Sequence, residues 1–161
     1  MKNTIKIIVI LVLMFVPNVF AQQNKQVEVK IYLQKDVDLP NNMIRTDWVT
    51  VKRIGDSNSP LRSALEWLFK PQLTPEEEKQ KIYEIDFGMK FEGVKLKDGT
   101  ATVRFSETDK ANYGTASGGI FYDAIQKTVK QFPNIKRVKI CVVGETNLDG
   151  EYDRRIFLPC K

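Results

Sequence analysis

Several short segments alternate apolar and polar side chains, the period-2 pattern of a strand with one buried face. In the first, the apolar positions are Val27, Val29, Ile31 and Leu33. Further strands are expected at 48–54, 91–96, 100–105, 138–143 and 154–158. Between the first two strands, residues 36–47 contain Pro40-Asn41-Asn42 and predict a loop.

Three segments carry helix signals instead. Ser59 and Pro60 suit an N-cap and a first helical position. The apolar residues that follow have the i, i+3, i+4, i+7 spacing of one buried stripe; they are Leu61, Ala64, Leu65 and Leu68. Thr74 to Glu77 has the form of a capping box, which predicts a short second helix ending near Tyr83. A third helix is predicted over 120–132, with Ser117 as its cap.

Asp98-Gly99 lies between two alternating strands and predicts a tight hairpin, because both residues tolerate positive φ. Residues 138–143 and 154–158 predict a second hairpin at the C-terminal end. Strands therefore alternate with helices and hairpins. This order favours an α+β (mixed α/β) fold, with a mixed β-sheet packed against two main helices.

The first 21 residues differ in character from the rest. Lys2 and Lys6 precede a nearly continuous apolar run over 5–16, and Ala21 is followed by polar residues. This is the pattern of a cleaved signal peptide, and the run is shorter than the ~20 residues of a membrane span. An uncleaved membrane anchor is the alternative. Cleavage would leave one domain over 22–161, exported to the periplasm, cell envelope or medium, with no membrane span.

Composition removes several classes of enzyme. The 161-residue chain has no histidine, which excludes Ser-His-Asp and Cys-His catalytic centres and histidine-ligated zinc or haem. No cofactor or metal is expected. Without Lys2 and Lys6 the net charge falls from +5 to +3, too small a surplus to indicate nucleic-acid binding.

The two cysteines, Cys141 and Cys160, predict one disulfide in an exported protein. They are equidistant from the Gly150-Glu151 bond, so a hairpin centred there places them opposite each other. A two-residue loop at Asp149-Gly150 would instead pair Cys141 with Leu158 and leave the thiols diagonal. Two unpaired thiols in a reducing environment are the alternative to the disulfide.

Other candidate sites match their motifs poorly. Glu145 to Gly150 resembles the first half of a calcium loop, but Ile156 stands where the final ligand would be. The glycines at 114, 118 and 119 lack the ending of a phosphate-binding loop. Paired carboxylates suited to a hydrolase all fall in polar loops, where solvated acids are the rule. They are Glu84 with Asp86, and Glu145 with Asp149 or Asp153.

A cluster of cations would come together if the terminal hairpin forms. Its members are Lys136, Arg137, Lys139, Arg154 and Arg155. They form a candidate patch for an acidic partner, such as an acidic glycan. The alternative is a solvated sheet face whose edge charges prevent aggregation.

The series of motifs over Val27 to Gly144 resembles the GerMN domain family of sporulation and spore germination proteins. The helix over 59–69, Lys70-Pro71 and the segment 74–77 are similar to its helical part. The hairpin over 91–106 and the segment 124–144 are similar to its later strands and helix. The resemblance implies a non-catalytic α/β domain of the bacterial envelope and supplies no catalytic residues. The tail beyond Gly144 lies outside the resemblance.

These observations favour a non-enzymatic, exported binding or envelope-assembly module that contacts an envelope protein or a cell-wall polymer. One alternative is a peptidoglycan hydrolase that uses paired carboxylates. Another is a small secreted inhibitor or ligand-binding protein. The sequence indicates no oligomeric state.

Overall fold

A computed structural model describes residues 25–86, 88–108, 115–144 and 157–160. The predicted signal peptide lies outside these residues. The strands are β1 (Gln26–Leu39), β2 (Met43–Asp56), β3 (Ile82–Tyr83), β4 (Met89–Lys97), β5 (Thr100–Glu107), β6 (Arg137–Val143) and β7 (Phe157–Pro159). The α-helices are α1 (Pro60–Phe69), α2 (Pro75–Lys79) and α3 (Thr115–Lys130). Among the described helices, none has the length and apolar character needed to cross a membrane.

The strands form two sheets. The first has the order β2-β1-β3 and is antiparallel, and the second has the order β4-β5-β6-β7. The second sheet is mixed, because β4 runs antiparallel to β5 whereas β6 and β7 run parallel to their neighbours. The α+β prediction is therefore confirmed, with two sheets where the sequence indicated one.

The inward faces of both sheets and the apolar sides of α1 and α3 enclose one core. Three alternate residues of β5 are fully buried, namely Ala101, Val103 and Phe105, as the period of a strand requires. The buried positions of α3 follow the helical period instead; among them are Phe121, Ala124, Ile125, Thr128 and Val129. The buried residues of the sheets and those of the helices therefore pack into the same core.

The first hairpin is much longer than the sequence predicted. Residues 36–47 were expected to form a loop, but β1 and β2 pair continuously from Gln26↔Asp56 to Leu39↔Met43. Only Pro40–Asn42 turns, as a short 3-10 segment in which Asn41 and Asn42 have positive φ. Polar cross-strand bonds extend the pairing here, since Thr46 Oγ1 donates to Asp36 Oδ1 at 3.0 Å.

The helix signals are confirmed in position but not in every boundary. In α2, Thr74 Oγ1 accepts from the Glu77 amide and Glu77 Oε2 accepts from the Thr74 amide, as a capping box requires. This helix ends at Lys79, earlier than predicted, because Lys81 has φ 58° and β3 then pairs with β1. Helix α3 begins at Thr115, so Ser117 lies inside it and is not its cap.

The predicted C-terminal hairpin is wrong. Strand β7 pairs with β6 in parallel, with Cys141 opposite Leu158. Parallel neighbours need a crossover connection, not a tight turn. The residues between Gly144 and Phe157 lie outside the described part of the chain, and with them the calcium-loop candidate.

Candidate functional site

The outer face of the second sheet is the first candidate site. Because Ala101, Val103 and Phe105 point into the core, the alternate residues Thr100, Thr102 and Arg104 of β5 point outward. The strand register then determines which residues of β4 and β6 share this face. Thr102 lies between Lys95 and Lys139, and Thr100 lies between Lys97 and Arg137.

This arrangement concentrates positive charge on one face of the sheet. We define the basic face by its exposed cations Lys90, Lys95, Lys97, Arg104, Arg137 and Lys139. Neighbouring strands are ~4.8 Å apart and alternate residues of one strand ~6.7 Å apart. The cations of the basic face are therefore spaced closely enough for several to contact one extended polyanion.

One carboxylate lies on the basic face. Glu92 Oε1 accepts a hydrogen bond from Ser106 Oγ at 2.7 Å and lies 3.0 Å from Lys90 Nζ. The Ser106 hydrogen bond and the neighbouring Lys90 lower the pKa of Glu92 from its usual value. Among the described residues, no ion pair joins a carboxylate to Lys95, Lys97, Arg104, Arg137 or Lys139.

The structure places part of the predicted cation cluster here. Arg137 and Lys139 are exposed on the basic face, and Lys136 is exposed just before β6. Arg154 and Arg155 lie outside the described residues. Sequence reasoning missed Lys95, Lys97 and Arg104, although the predicted hairpin at Asp98-Gly99 would already have paired their strands.

A disulfide lies at the border of this surface. Cys141 is opposite Arg104 in the β5–β6 register, and its Sγ is 2.01 Å from Sγ of Cys160. The Cys160 amide also donates to the Val142 carbonyl at 2.9 Å, so the chain follows β6 one residue beyond β7. The disulfide therefore attaches the C-terminal segment to β6 by a parallel arrangement, whereas the sequence suggested a hairpin.

The second candidate site is a cleft of about 690 Å³ between the end of β2, helix α1 and the start of β4. This volume is within the usual range for small-molecule sites. Apolar and charged side chains share its walls. The aromatic lining residues are Trp67, Phe69 and Phe91, and the charged ones are Lys25, Asp56, Arg62, Glu66, Lys70 and Lys90.

Side chains of α1 bind the backbone of β2 along this cleft. Trp67 Nε1 donates to the Ile54 carbonyl at 2.7 Å, and Ser63 Oγ accepts from the Asp56 amide at 3.0 Å. Gly55 permits this approach, since a Cβ there would lie 2.6 Å from Ser63 Cβ. The wall formed by β2 and α1 is thus closely packed.

Arg53 supports the same wall from behind. Its guanidinium donates to both carboxylate oxygens of Glu77, at 2.8 and 2.7 Å, and to the Pro71 carbonyl at 3.1 Å. It also lies 5.8 Å from the centroid of the Trp67 ring. The Arg53 and Glu77 side chains are only 11% and 16% exposed, so this ion pair is largely shielded from water.

The Arg53–Glu77 pair leads to a prediction about acid stability. The hydrogen bond from Arg53 lowers the pKa of Glu77 from its ordinary value. The stabilisation is therefore complete above the unfolded pKa of about 4.3 and is lost as the pH falls through the lower native pKa. We expect Glu77→Gln to reduce the urea midpoint at pH 7, and to reduce it progressively less as the pH falls below about 4.

Glu76→Gln, on the neighbouring exposed position of α2, is the matched control and should change the midpoint little at either pH. An equal effect of Glu77→Gln at neutral and acid pH would contradict a pH-linked ion pair.

Of the carboxylates suited to hydrolysis, the structure describes one pair. Glu84 and Asp86 are exposed beside a small pocket of about 150 Å³, and Asp86 Oδ1 accepts from the Gly88 amide at 2.8 Å. Glu145, Asp149 and Asp153 lie outside the described residues. Within the described ranges, no group of three acidic or cysteine side chains converges to hold a metal ion.

Comparison with known proteins identifies relatives at the level of family and fold. The Germane family, described as "Sporulation and spore germination", matches residues 23–148. The tandem GerMN domains of the sporulation protein GerM from Bacillus subtilis superpose with a TM-score of 0.50 at 17% identity. That match covers 73% of this chain but 39% of the tandem structure.

The first GerMN domain of the same Bacillus subtilis protein matches with a TM-score of 0.47 at 24% identity, over 72% of this chain and 82% of that domain. No curated protein gives a significant match. At these identities the tandem-domain structure supports the fold alone.

Proposed function

This chain belongs to the Germane family of sporulation and spore germination domains, and on that basis we propose that it is a non-enzymatic, exported binding or envelope-assembly module. Its partner is an anionic cell-wall polymer, which lies across the basic face. The signal-like pattern of residues 1–21 supports export, to the periplasm or the cell envelope.

The observation that carries the proposal is the concentration of exposed cations on the basic face. Lys95 and Lys97 are exposed on β4 and Lys139 is exposed on β6, on either side of β5, and none has an ion-pair partner among the described residues. Cations grouped in this way create a positive potential that attracts polyanions and weakens with added salt. A repetitive polyanion suits the face better than an acidic protein, because the cations repeat with the regular spacing of the sheet.

The rigid strands beneath the cations also favour binding. Arg137 and Lys139 are held by the parallel β5–β6 ladder, and Lys95 and Lys97 by the antiparallel β4–β5 ladder. Binding of a ligand therefore has a smaller entropy cost, because the protein backbone is already ordered. Charge and rigidity together support a binding role without any catalytic group.

The test compares two triple variants that lose equal charge. Lys95→Gln, Lys97→Gln and Lys139→Gln together remove the centre of the basic face. Lys30→Gln, Lys79→Gln and Lys130→Gln remove three exposed lysines from other surfaces. In co-sedimentation with purified cell walls at low salt, we expect the first variant to bind at least ~10-fold more weakly and the second to bind like the wild type.

The wild-type protein should bind much more weakly to walls stripped of their anionic polymers. Added salt should weaken its binding to intact walls. Equal losses in the two triple variants would show that net charge alone is responsible and would overturn the assignment to the basic face. Unchanged binding to stripped walls, or preferential capture of an acidic protein, would overturn the choice of partner. Release of soluble muropeptides that is abolished by Glu84→Gln would overturn the non-enzymatic assignment.

A further inference from the structure

We propose that the cleft between β2, α1 and β4 is a separate binding site for a sugar ring that carries an acidic group. The cleft and the basic face meet at Lys90, which belongs to both. The inference goes beyond the polymer-binding function, because it assigns recognition of an individual sugar unit to a different set of residues.

The aromatic side of the site is built around Trp67. The indole is held by its bond to the Ile54 carbonyl and by the guanidinium of Arg53, itself held by Glu77. The negative face of an aromatic ring attracts the C–H groups on one side of a sugar ring. Because Trp67 is already held in place, binding of a sugar ring does not have to immobilise this side chain. The lower entropy cost favours affinity.

The charged side of the site favours an anion. Arg62 and Glu66 neutralise each other at 2.8 Å. Lys25 and Lys70 also line the cleft and have no ion-pair partner among the described residues, so they outnumber the one remaining carboxylate, Asp56, whose Oδ1 accepts from the Asn58 amide. The cleft therefore has two available cations next to an aromatic surface, which complement a carboxylate or phosphate on a sugar ring.

Two other classes of ligand fit less well. An extended peptide would add to a sheet edge through backbone hydrogen bonds. At β2, however, the Ile54 carbonyl and the Asp56 amide already bond to Trp67 and Ser63. A lipid tail would require an apolar enclosure, but the walls of this open cleft carry charged side chains from α1 and β4. A partly solvated ring with polar edges matches the cleft better than either.

The chain contains a built-in reporter for this site. Its two tryptophans are Trp48 and Trp67, and Trp48 packs near Lys127, outside the cleft lining. Trp48→Phe therefore leaves Trp67 as the single tryptophan. Titration of this variant with a tetrasaccharide of alternating uronic acid and N-acetylglucosamine should give a saturable change in emission.

Two comparison ligands test the chemistry. A neutral N-acetylglucosamine tetrasaccharide is expected to bind at least ~10-fold more weakly, because it lacks the charge that Lys25 and Lys70 complement. A tetra-glutamate peptide should give no saturable change. The absence of a saturable signal with the acidic sugar, or equal affinity for the peptide, would overturn the proposal.

Charge variants separate this site from the basic face. Lys25→Gln with Lys70→Gln should weaken binding of the tetrasaccharide at least ~10-fold. Lys97→Gln with Lys139→Gln should leave the affinity for the tetrasaccharide within ~2-fold of the wild-type value. If Lys97→Gln with Lys139→Gln weakens binding of the tetrasaccharide at least ~10-fold and Lys25→Gln with Lys70→Gln does not, the ligand lies on the basic face and the cleft proposal fails. Cell-wall binding that survives Lys25→Gln with Lys70→Gln would leave the function of the basic face intact.

Discussion

Replacing Phe105 with alanine is expected to lower the free energy of unfolding by about 3–5 kcal/mol. Phe105 is fully buried on β5, directly beneath the basic face. Its ring lies 4.9 Å from that of Phe69, 5.1 Å from that of Phe121 and 5.9 Å from that of Phe91. The truncation therefore removes an aromatic ring shared by α1, α3 and β4, in addition to apolar surface.

Urea unfolding at neutral pH with the disulfide intact measures this effect. Leu96→Ala on β4 is the matched control, because Leu96 is 53% exposed and its truncation should change stability by less than about 0.5 kcal/mol. A loss below about 1 kcal/mol for Phe105→Ala would contradict the central position of this ring in the core.

Local signals allowed much of the fold to be predicted. The Asp98-Gly99 turn forms as expected, with φ of 50° and 69°, because the requirement for positive φ is a property of these two residues. The capping box at Thr74 also forms, since both of its bonds lie within four residues. The apolar stripe of α1 was visible for the same reason: one turn of helix determines which side chains share a face.

The errors arose where distant parts of the chain decide the outcome. Pro40-Asn41-Asn42 is a turn signal, so the whole of 36–47 was predicted as a loop. In the structure a hydrogen bond from Thr46 to Asp36 and an ion pair between Lys81 and Asp38 hold this segment in the hairpin. The direction of β7 is likewise set by the sheet edge at β6, which the symmetric spacing of the two cysteines does not reveal.

For the candidate sites too, short-range features could be predicted from the sequence, whereas features that depend on distant parts of the chain could not. Arg137 and Lys139 were identified because the expected terminal hairpin grouped them with Lys136, Arg154 and Arg155. The basic face as a whole needed the register of three strands, in which Lys95 and Lys139 lie on either side of Thr102. The cleft depended on side-chain contacts between β2 and α1, and these leave no periodic signal in the sequence.

Removing the disulfide, by Cys141→Ser with Cys160→Ser, is expected to lower the free energy of unfolding by about 2–3 kcal/mol. The two cysteines are 19 residues apart, and closing a loop of this length restricts the unfolded chain by about 3 kcal/mol in the chain-entropy model. The effect should be marked because β7 has only three residues and pairs with β6 alone among the described strands.

Urea unfolding of the oxidised protein, the reduced protein and the double variant measures this contribution, and the last two should agree. Binding to cell walls should survive in the double variant at temperatures where it stays folded. Arg137 and Lys139 are held by pairing with β5, which does not depend on β7, so the disulfide stabilises the fold without forming the basic face. Loss of wall binding by a folded double variant would show instead that the attached C-terminal segment contributes to the surface that the polymer contacts.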